Sequence, residues 1–341
     1  MAVAGRLSGP EWKRYADPAT DLDVIRLTDP TFASGMTASH LRQFTRRSDA
    51  LLYWSERNGG RQAFYLDLKA GESRQLTEAE ALEPATLSFS PDERALLFFD
   101  GPSLMETHLM TLRSRVLYRL PEGATRTGMT VTGDGSVAFA ECVNGRSRIV
   151  RVSRQRAWPI SHSDAAVDWI MARPRHAQIA FQSAGAVWLV NNDGSAKRQL
   201  RMASGQTGRT VWAPSGRTLL YLHIPDDPKQ LITLRELAPD ENTDKQIART
   251  SQFASVAPNG DASVFTGASR SKASAYVLIL LRVTRRELTL CEHHASDPRM
   301  VCPVFSPDSQ SIFFVSDRHG KSAVYRVHVE KFVEATGDEQ G

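Results

Sequence analysis

The apolar positions of this chain fall into short strand-like runs. Segments such as ALLFF (95–99), TLLYL (218–222) and IFFV (312–315) are continuous or alternating apolar runs of roughly four to eight residues, the signature of half-buried or buried strands. ALLFF and IFFV follow S-P-D turns and TLLYL a P-S-G turn, and other units turn at N/D-G, where Asp and Gly tolerate left-handed backbone angles or bond their own backbone. The unit recurs. It reads HLRQFTRRSDALLYW from His40, TLSFSPDERALLFF from Thr86, MTVTGDGSVAFAE from Met129 and DWIMARPRHAQIAFQ from Asp168. It continues as RTVWAPSGRTLLYL from Arg209, FASVAPNGDASVFTG from Phe253 and MVCPVFSPDSQSIFFV from Met300.

The turns are spaced by about 40 residues, the period of a four-stranded propeller blade, and seven such units nearly fill the 341 residues. The pattern predicts an all-β chain: a single seven-bladed β-propeller of four-stranded antiparallel blades, one domain over 1–341, with the ring from about 12 to 336 and a frayed tail at 337–341. The segment DVIRLT, around Val24–Thr28, ends like the last strand of a blade. It is predicted to complete the seventh blade and lock the ring, which removes the exposed sheet edges that invite aggregation.

Composition narrows the class. The chain is 41% hydrophobic and 23% charged with a formal net charge of +4 and a pI of about 9.0, which suits a globular protein with a basic surface and points to an anionic partner if to any. No aromatic-plus-basic RNA signature, zinc finger or basic helix is visible, so nucleic acid is not an expected partner. The three cysteines, Cys142, Cys291 and Cys302, are too few and too scattered for a disulfide framework. The most apolar run, Tyr276–Leu281, is far short of the roughly 20 residues a membrane helix needs. No signal-peptide pattern opens the chain, so the expectation is a cytoplasmic protein without a membrane partner.

The SPD-containing blades resemble the repeats of TolB and of the propellers in prolyl oligopeptidases. No G-x-S-x-G elbow occurs, which excludes the hydrolase activity of the latter. A longer resemblance, in order along the chain, is carried by DLDVIRLTDP, FTRRSDALLYWSERNGGRQAFYLDL, WLVNNDGS, VWAPSGRTLLYL and LCEHHASD. These are similar to segments of the oligogalacturonate lyases. That resemblance implies a seven-bladed propeller with a metal in the central funnel, acting on short acidic sugars from pectin by β-elimination. The chemistry is abstraction of a weakly acidic proton alpha to a uronate carboxylate. A divalent cation and arginines offset the developing charge while a positioned base takes the proton.

The chain departs from that family at the positions carrying the chemistry. Arg209 stands where the family has a histidine ligand ahead of the fifth blade's Trp. Asp297, Met300 and Cys302 stand where it has a Gln and two His. Trp169 falls at the position of its general base, and Gly35 and Met36 at a His-Arg pair of the first blade. Met and Cys are soft ligands and Arg binds no cation, so the resemblance does not carry the family's metal with it. No cofactor is expected, and Mn²⁺ or another divalent cation only if the mechanism survives in altered form.

Other candidates remain. His293, His294, Asp297 and Cys302 crowd one inter-blade loop and the strand after it; they form either a zinc cluster or an exposed loop with a half-buried thiol. His40 is a candidate base or a surface histidine. Arg209, if it points into the funnel, presents a fixed fork suited to a carboxylate; otherwise it pairs with a neighbouring Asp or Glu. Trp169 and Trp212 are sugar-stacking candidates or buried blade residues, and Arg299 is a further substrate-binding candidate. The function so implied is an oligogalacturonate-lyase-like propeller associated with acidic oligosaccharides. The alternative is a non-catalytic propeller that binds a ligand, or a protein partner on its rim.

Overall fold

The computed structural model describes residues 4–334 apart from 155, 228, 251 and 272; the tail at 337–341 lies outside the described residues. Among these the strands form seven antiparallel sheets. The third blade is representative: Thr125–Val131 lies innermost, followed outward by Val137–Val143, Arg146–Ser153 and Arg156–Ser163. The fifth repeats this with Gln206–Trp212, Leu219–Ile224, Thr233–Ala238 and Thr243–Arg249.

Two blades carry a fifth strand, and both extra strands come from the N-terminus. Asp23–Arg26 pairs with Ala323–His328 as the fourth strand of blade seven, and Lys13–Ala16 adds a fifth. Leu7–Ser8 then pairs with Arg74 and Ser73 at the outer edge of blade one. Strand pairing therefore begins at Leu7, ahead of position 12, and the N-terminal segment serves both blades that meet at the closure.

Seven apolar cores hold the ring, and each is shared by neighbouring blades. One joins Phe99 and Leu104 of blade two to Phe139 and Val150 of blade three; another joins Tyr53 and Phe64 of blade one to Phe313 and Val324 of blade seven. Sheets with apolar residues on both faces bury them by stacking against a sheet on either side, and a closed series of blades gives every sheet two such neighbours.

The turns leaving the inner strands repeat one chemistry. Ser90 Oγ donates to Asp92 Oδ1 at 2.6 Å and accepts the Ala95 N–H; Ser306 does the same with Asp308 and Ser311. Two short helical turns interrupt the strands, Pro84–Thr86 and Pro298–Val301. Among the described residues no helix is long and apolar enough to cross a membrane.

Candidate functional site in the central channel

Blade one opens with Ser34–Gly35, paired to Ser55 and Trp54. Gly35 is needed there: a Cβ would meet Trp54 Nε1 at 2.8 Å. The chain then leaves the sheet and returns only at Phe44, bridged to Leu51. The intervening residues 36–43 turn through the channel, with Leu41 N–H donating to Ala38 O at 2.9 Å.

Three other blades grip this loop. Arg209 Nη2 of blade five donates to Ser39 Oγ at 2.8 Å. His40 Nε2 lies 2.9 Å from the Met129 carbonyl of blade three. From blade two, Ser88 Oγ accepts the Arg42 N–H at 3.2 Å and the Phe89 N–H donates to Arg42 O at 2.8 Å.

Two β-bulges make these contacts available. In blade three Thr127 pairs with Ala140 and Thr130 with Ala138, so Gly128 and Met129 oppose Phe139 alone. In blade five Thr207 pairs with His223 and Thr210 with Tyr221, so Gly208 and Arg209 oppose Leu222 alone. A bulge leaves backbone groups unpaired and re-aims side chains, which is how Met129 O and the Arg209 side chain come to face blade one. Gly128, at φ +61 with Ile170 Cγ2 2.9 Å from where a Cβ would stand, suits that bulge.

His40 is therefore no surface histidine; it is half-buried in the channel wall. Burial first, and then the Arg209 charge, push its pKa down to about 4, against the Met129 carbonyl, which favours the charged ring. The ring is neutral at pH 7. With Nε2–H given to Met129, Nδ1 is left as the basic atom, and it has no hydrogen-bond partner among the described residues. Arg209 makes no ion pair among the described residues, so of its two expected settings the channel is the observed one. A cavity of about 340 Å³ in the channel is lined by Ser39, His40, Arg42, Gln43 and Trp212, among others, and no carboxylate contributes to its walls.

The tryptophans stand apart in role. Trp212 is buried, edging the cavity, with the Arg173 guanidinium 5.4 Å from its ring centroid. Arg173, 2% exposed, is in turn held by Asp240 through two bonds of 3.0 and 2.5 Å. Trp169 packs into the core between blades four and five and donates its N–H to Gln182 at 2.6 Å, so it does not line the cavity. Replacing Asp240 by Asn should destabilise the fold by about 1 kcal/mol: Asp240 is largely exposed, which screens the pair, and Arg173 keeps its bonds to Gly216 O and Gln178 Oε1. Urea unfolding at neutral pH checks this; an unchanged midpoint would show that the pair contributes nothing.

The remaining sequence candidates do not converge. The strand expected at Cys302 is a helical turn, Pro298–Val301, because Asp297 caps it and Pro298 starts it. Asp297 accepts the Arg299 N–H at 2.9 Å and the exposed Arg299 guanidinium at 2.8–3.1 Å. Met300 packs against the core between blades six and seven. Cys302 closes the turn at φ 37 and its thiol donates to Arg299 O at 3.1 Å. His293 is fully buried with Nδ1 accepting the Ala295 N–H, whereas His294 is exposed and meets Glu292 at 2.6 Å. Among the described residues no three His, Cys, Asp or Glu side chains are placed to hold a metal ion.

Ser39, Arg42 and Gln43 escaped the sequence reading. The available signal was the extra length between Ser34–Gly35 and Phe44, longer than the interruption around Pro84–Thr86 in blade two.

Fold and channel together define a seven-bladed propeller whose central funnel presents cations to its ligand space. Comparison with known proteins sharpens this. The sequence model of the family described as oligogalacturonate lyase matches residues 1–145. The oligogalacturonide lyase of Pectobacterium atrosepticum is 23% identical over 92% of this chain and 95% of its own length. The oligogalacturonate lyase of Dickeya dadantii is 23% identical over 96% and 98%. A solved oligogalacturonate lyase in complex with manganese superposes with a TM-score of 0.89 at 23% identity, covering 96% of this chain and 98% of that one. The chain is a seven-bladed propeller similar to those enzymes over nearly its whole length.

Proposed function

We propose that the chain binds pectin-derived acidic oligosaccharides in the channel, with Arg209 holding a uronate carboxylate, and that it does so without a manganese ion. The observation that carries this is Arg209 itself: a guanidinium placed by a bulge in the channel wall, bonded to a neutral Ser39 and to no carboxylate among the described residues. Its unused N–H groups suit a carboxylate fork.

Manganese prefers hard oxygen and nitrogen donors. The residues where the resemblance would put ligands do not fit it: Arg209 is a cation, Asp297 is engaged by Arg299, Met300 packs against a core and the Cys302 thiol is turned to a backbone carbonyl. A second reading, proton abstraction, is favoured by the free Nδ1 of neutral His40 beside Arg209. A carboxylate on Arg209 would offset the cation that depresses this imidazole and make it a better base.

Calorimetric titration with trigalacturonate in the presence of EDTA tests the reading. Wild type should bind, and Arg209→Ala should bind about ten- to a hundredfold more weakly, the worth of a charge-assisted bond. Unaltered binding by Arg209→Ala, or loss of wild-type binding in EDTA, would overturn it. Ultraviolet absorbance of unsaturated product, suppressed in His40→Gln, would establish elimination. We also place the chain, as one domain, in the reducing cytoplasm, in keeping with free Cys142, Cys291 and Cys302; recovery of the tagged protein in a secreted fraction would refute that.

A further inference from the structure

Arg209 carries its guanidinium at the end of a long, rotamer-rich side chain, and a single hydrogen bond holds it. Nη2 donates to Ser39 Oγ at 2.8 Å, with no second partner among the described residues. Arg173 shows the other extreme: it is tied at once to Gly216 O, Gln178 and Asp240, which leaves it closed to a ligand.

Of the two partners in the Arg209–Ser39 bond, Ser39 is the fixed one. The Leu41 N–H bonds Ala38 O at 2.9 Å across it, and His40 beside it lies 2.9 Å from Met129 O. Arg42 is pinned to blade two through both backbone groups, and the Gln43 carbonyl accepts the Leu52 N–H at 2.7 Å. A serine oxygen moves only through its χ1 rotamers, so it stays where this loop puts it.

The choice of atom matters as well. A guanidinium has two edges that can fork onto a carboxylate, and Nη2 has a hydrogen in each. Ser39 Oγ takes one of those hydrogens and leaves the other edge complete. Being neutral, it fixes the guanidinium without offsetting the charge, which an Asp or Glu in its place would do. Ser39 and His40 are consecutive, with Cα atoms about 3.8 Å apart, so the same loop ties the free fork to the His40 ring.

We propose that Ser39 is the positioning residue of the channel: it holds the Arg209 guanidinium with one N–H fork free for a carboxylate, beside His40. The carboxylate is the uronate of the oligosaccharide reading, on which this half of the inference rests. The holding of Arg209 does not depend on it.

Ser39→Ala and Ser39→Thr in the full chain test it in two ways. Without ligand, nitrogen NMR relaxation of the Arg209 Nε–H, identified by its loss in Arg209→Gln, should show a rigid group in wild type and in Ser39→Thr and a mobile one in Ser39→Ala. In calorimetric titration with trigalacturonate, Ser39→Ala should bind about two- to tenfold more weakly, the worth of ordering one rotamer-rich side chain. Ser39→Thr, which keeps the hydroxyl, should bind as wild type does. If Ser39→Ala fails to fold, Ser39→Cys, a weak acceptor of similar size, takes its place. An Arg209 that is mobile in wild type, or still rigid in Ser39→Ala, overturns the inference. So does trigalacturonate binding by Ser39→Ala as tight as wild type's or tighter, which would make Ser39 a competitor of the ligand and leave the oligosaccharide reading standing. If wild type binds no trigalacturonate, the oligosaccharide reading falls and the NMR result alone decides the role of Ser39.

Discussion

Deleting residues 4–28 should replace a cooperatively folding protein with aggregating material that shows no native unfolding transition. That segment supplies the fourth and fifth strands of blade seven and the fifth of blade one. Val24 is buried in the core between blades six and seven, while Ile25 and Leu27 are buried in the core between blades seven and one. Burying such side chains stabilises a protein by about 1.5–3 kcal/mol each, so three of them rival the roughly 5–15 kcal/mol net stability of a domain. Polar contacts reinforce the seam: Glu11 forks onto Arg57 of blade one at 2.5 and 3.0 Å, and Trp12 sits beside the Arg326 guanidinium of blade seven. Without the segment, the strand Ala323–His328 becomes a bare edge with an apolar face, a template for intermolecular pairing. Size-exclusion chromatography with urea unfolding reads the outcome. A deletion variant that elutes as wild type does, with the wild-type midpoint, would mean that other contacts close the ring. A synthetic peptide of residues 4–28 added during refolding should restore the wild-type elution if the segment acts as described.

The closure was legible because it obeys local rules. DVIRLT has the alternation of an outer strand and the ending of its counterparts in other blades, and the S/T-P-D turns announce each inner strand. Residues 36–43 obey no such rule. Their apolar spacing continues that of a strand, and what pulls them into the channel is long-range: Ser39 meets Arg209 across 170 residues and His40 meets Met129 across 89. The bulges that free Met129 and Arg209 each add one residue to a strand, a phase slip that the polar, glycine-containing runs TRTGMTV and QTGRTVW alternate too weakly to reveal. Arg209 could be singled out because it replaces a residue type that the resemblance makes conspicuous, whereas Arg42 and Gln43 replace nothing conspicuous. The turn at Pro298–Val301 was readable in principle, since Asp-Pro is a cap followed by a first helical residue. The strand period of the surrounding blade overrode it.

Acid should destabilise the native ring by about 3 kcal/mol between pH 6.5 and 4 through His293 alone, on the relation of roughly 1.4 kcal/mol per pKa unit. The side chain is fully buried, with Nδ1 accepting the Ala295 N–H at 3.0 Å. Burial, then the His294 and Arg318 charges, lower its pKa to about 4, while the Ser269 backbone and Asp317 oppose the shift. In the unfolded chain the same imidazole takes a proton near its ordinary pKa of about 6.5. Between those values the unfolded state binds more protons than the native one, so stability rises with pH across the window, is complete above it, and is lost as pH falls through it. His40 acts in the same direction. The carboxylates whose pKa lies below the usual range, such as Asp240 and Asp317, begin to lose their contribution only near pH 5 and do so in any His293 variant as well, so the comparison cancels them. His293→Asn keeps an acceptor for the Ala295 N–H and removes the titration. That variant should lose stability at pH 7.5 through the cavity it leaves, yet lose much less than wild type on going to pH 4.5. Urea midpoints at the two pH values decide it: an equal acid loss in both proteins would mean that His293 titrates normally in the native ring, and that its buried setting is open enough to admit a charge.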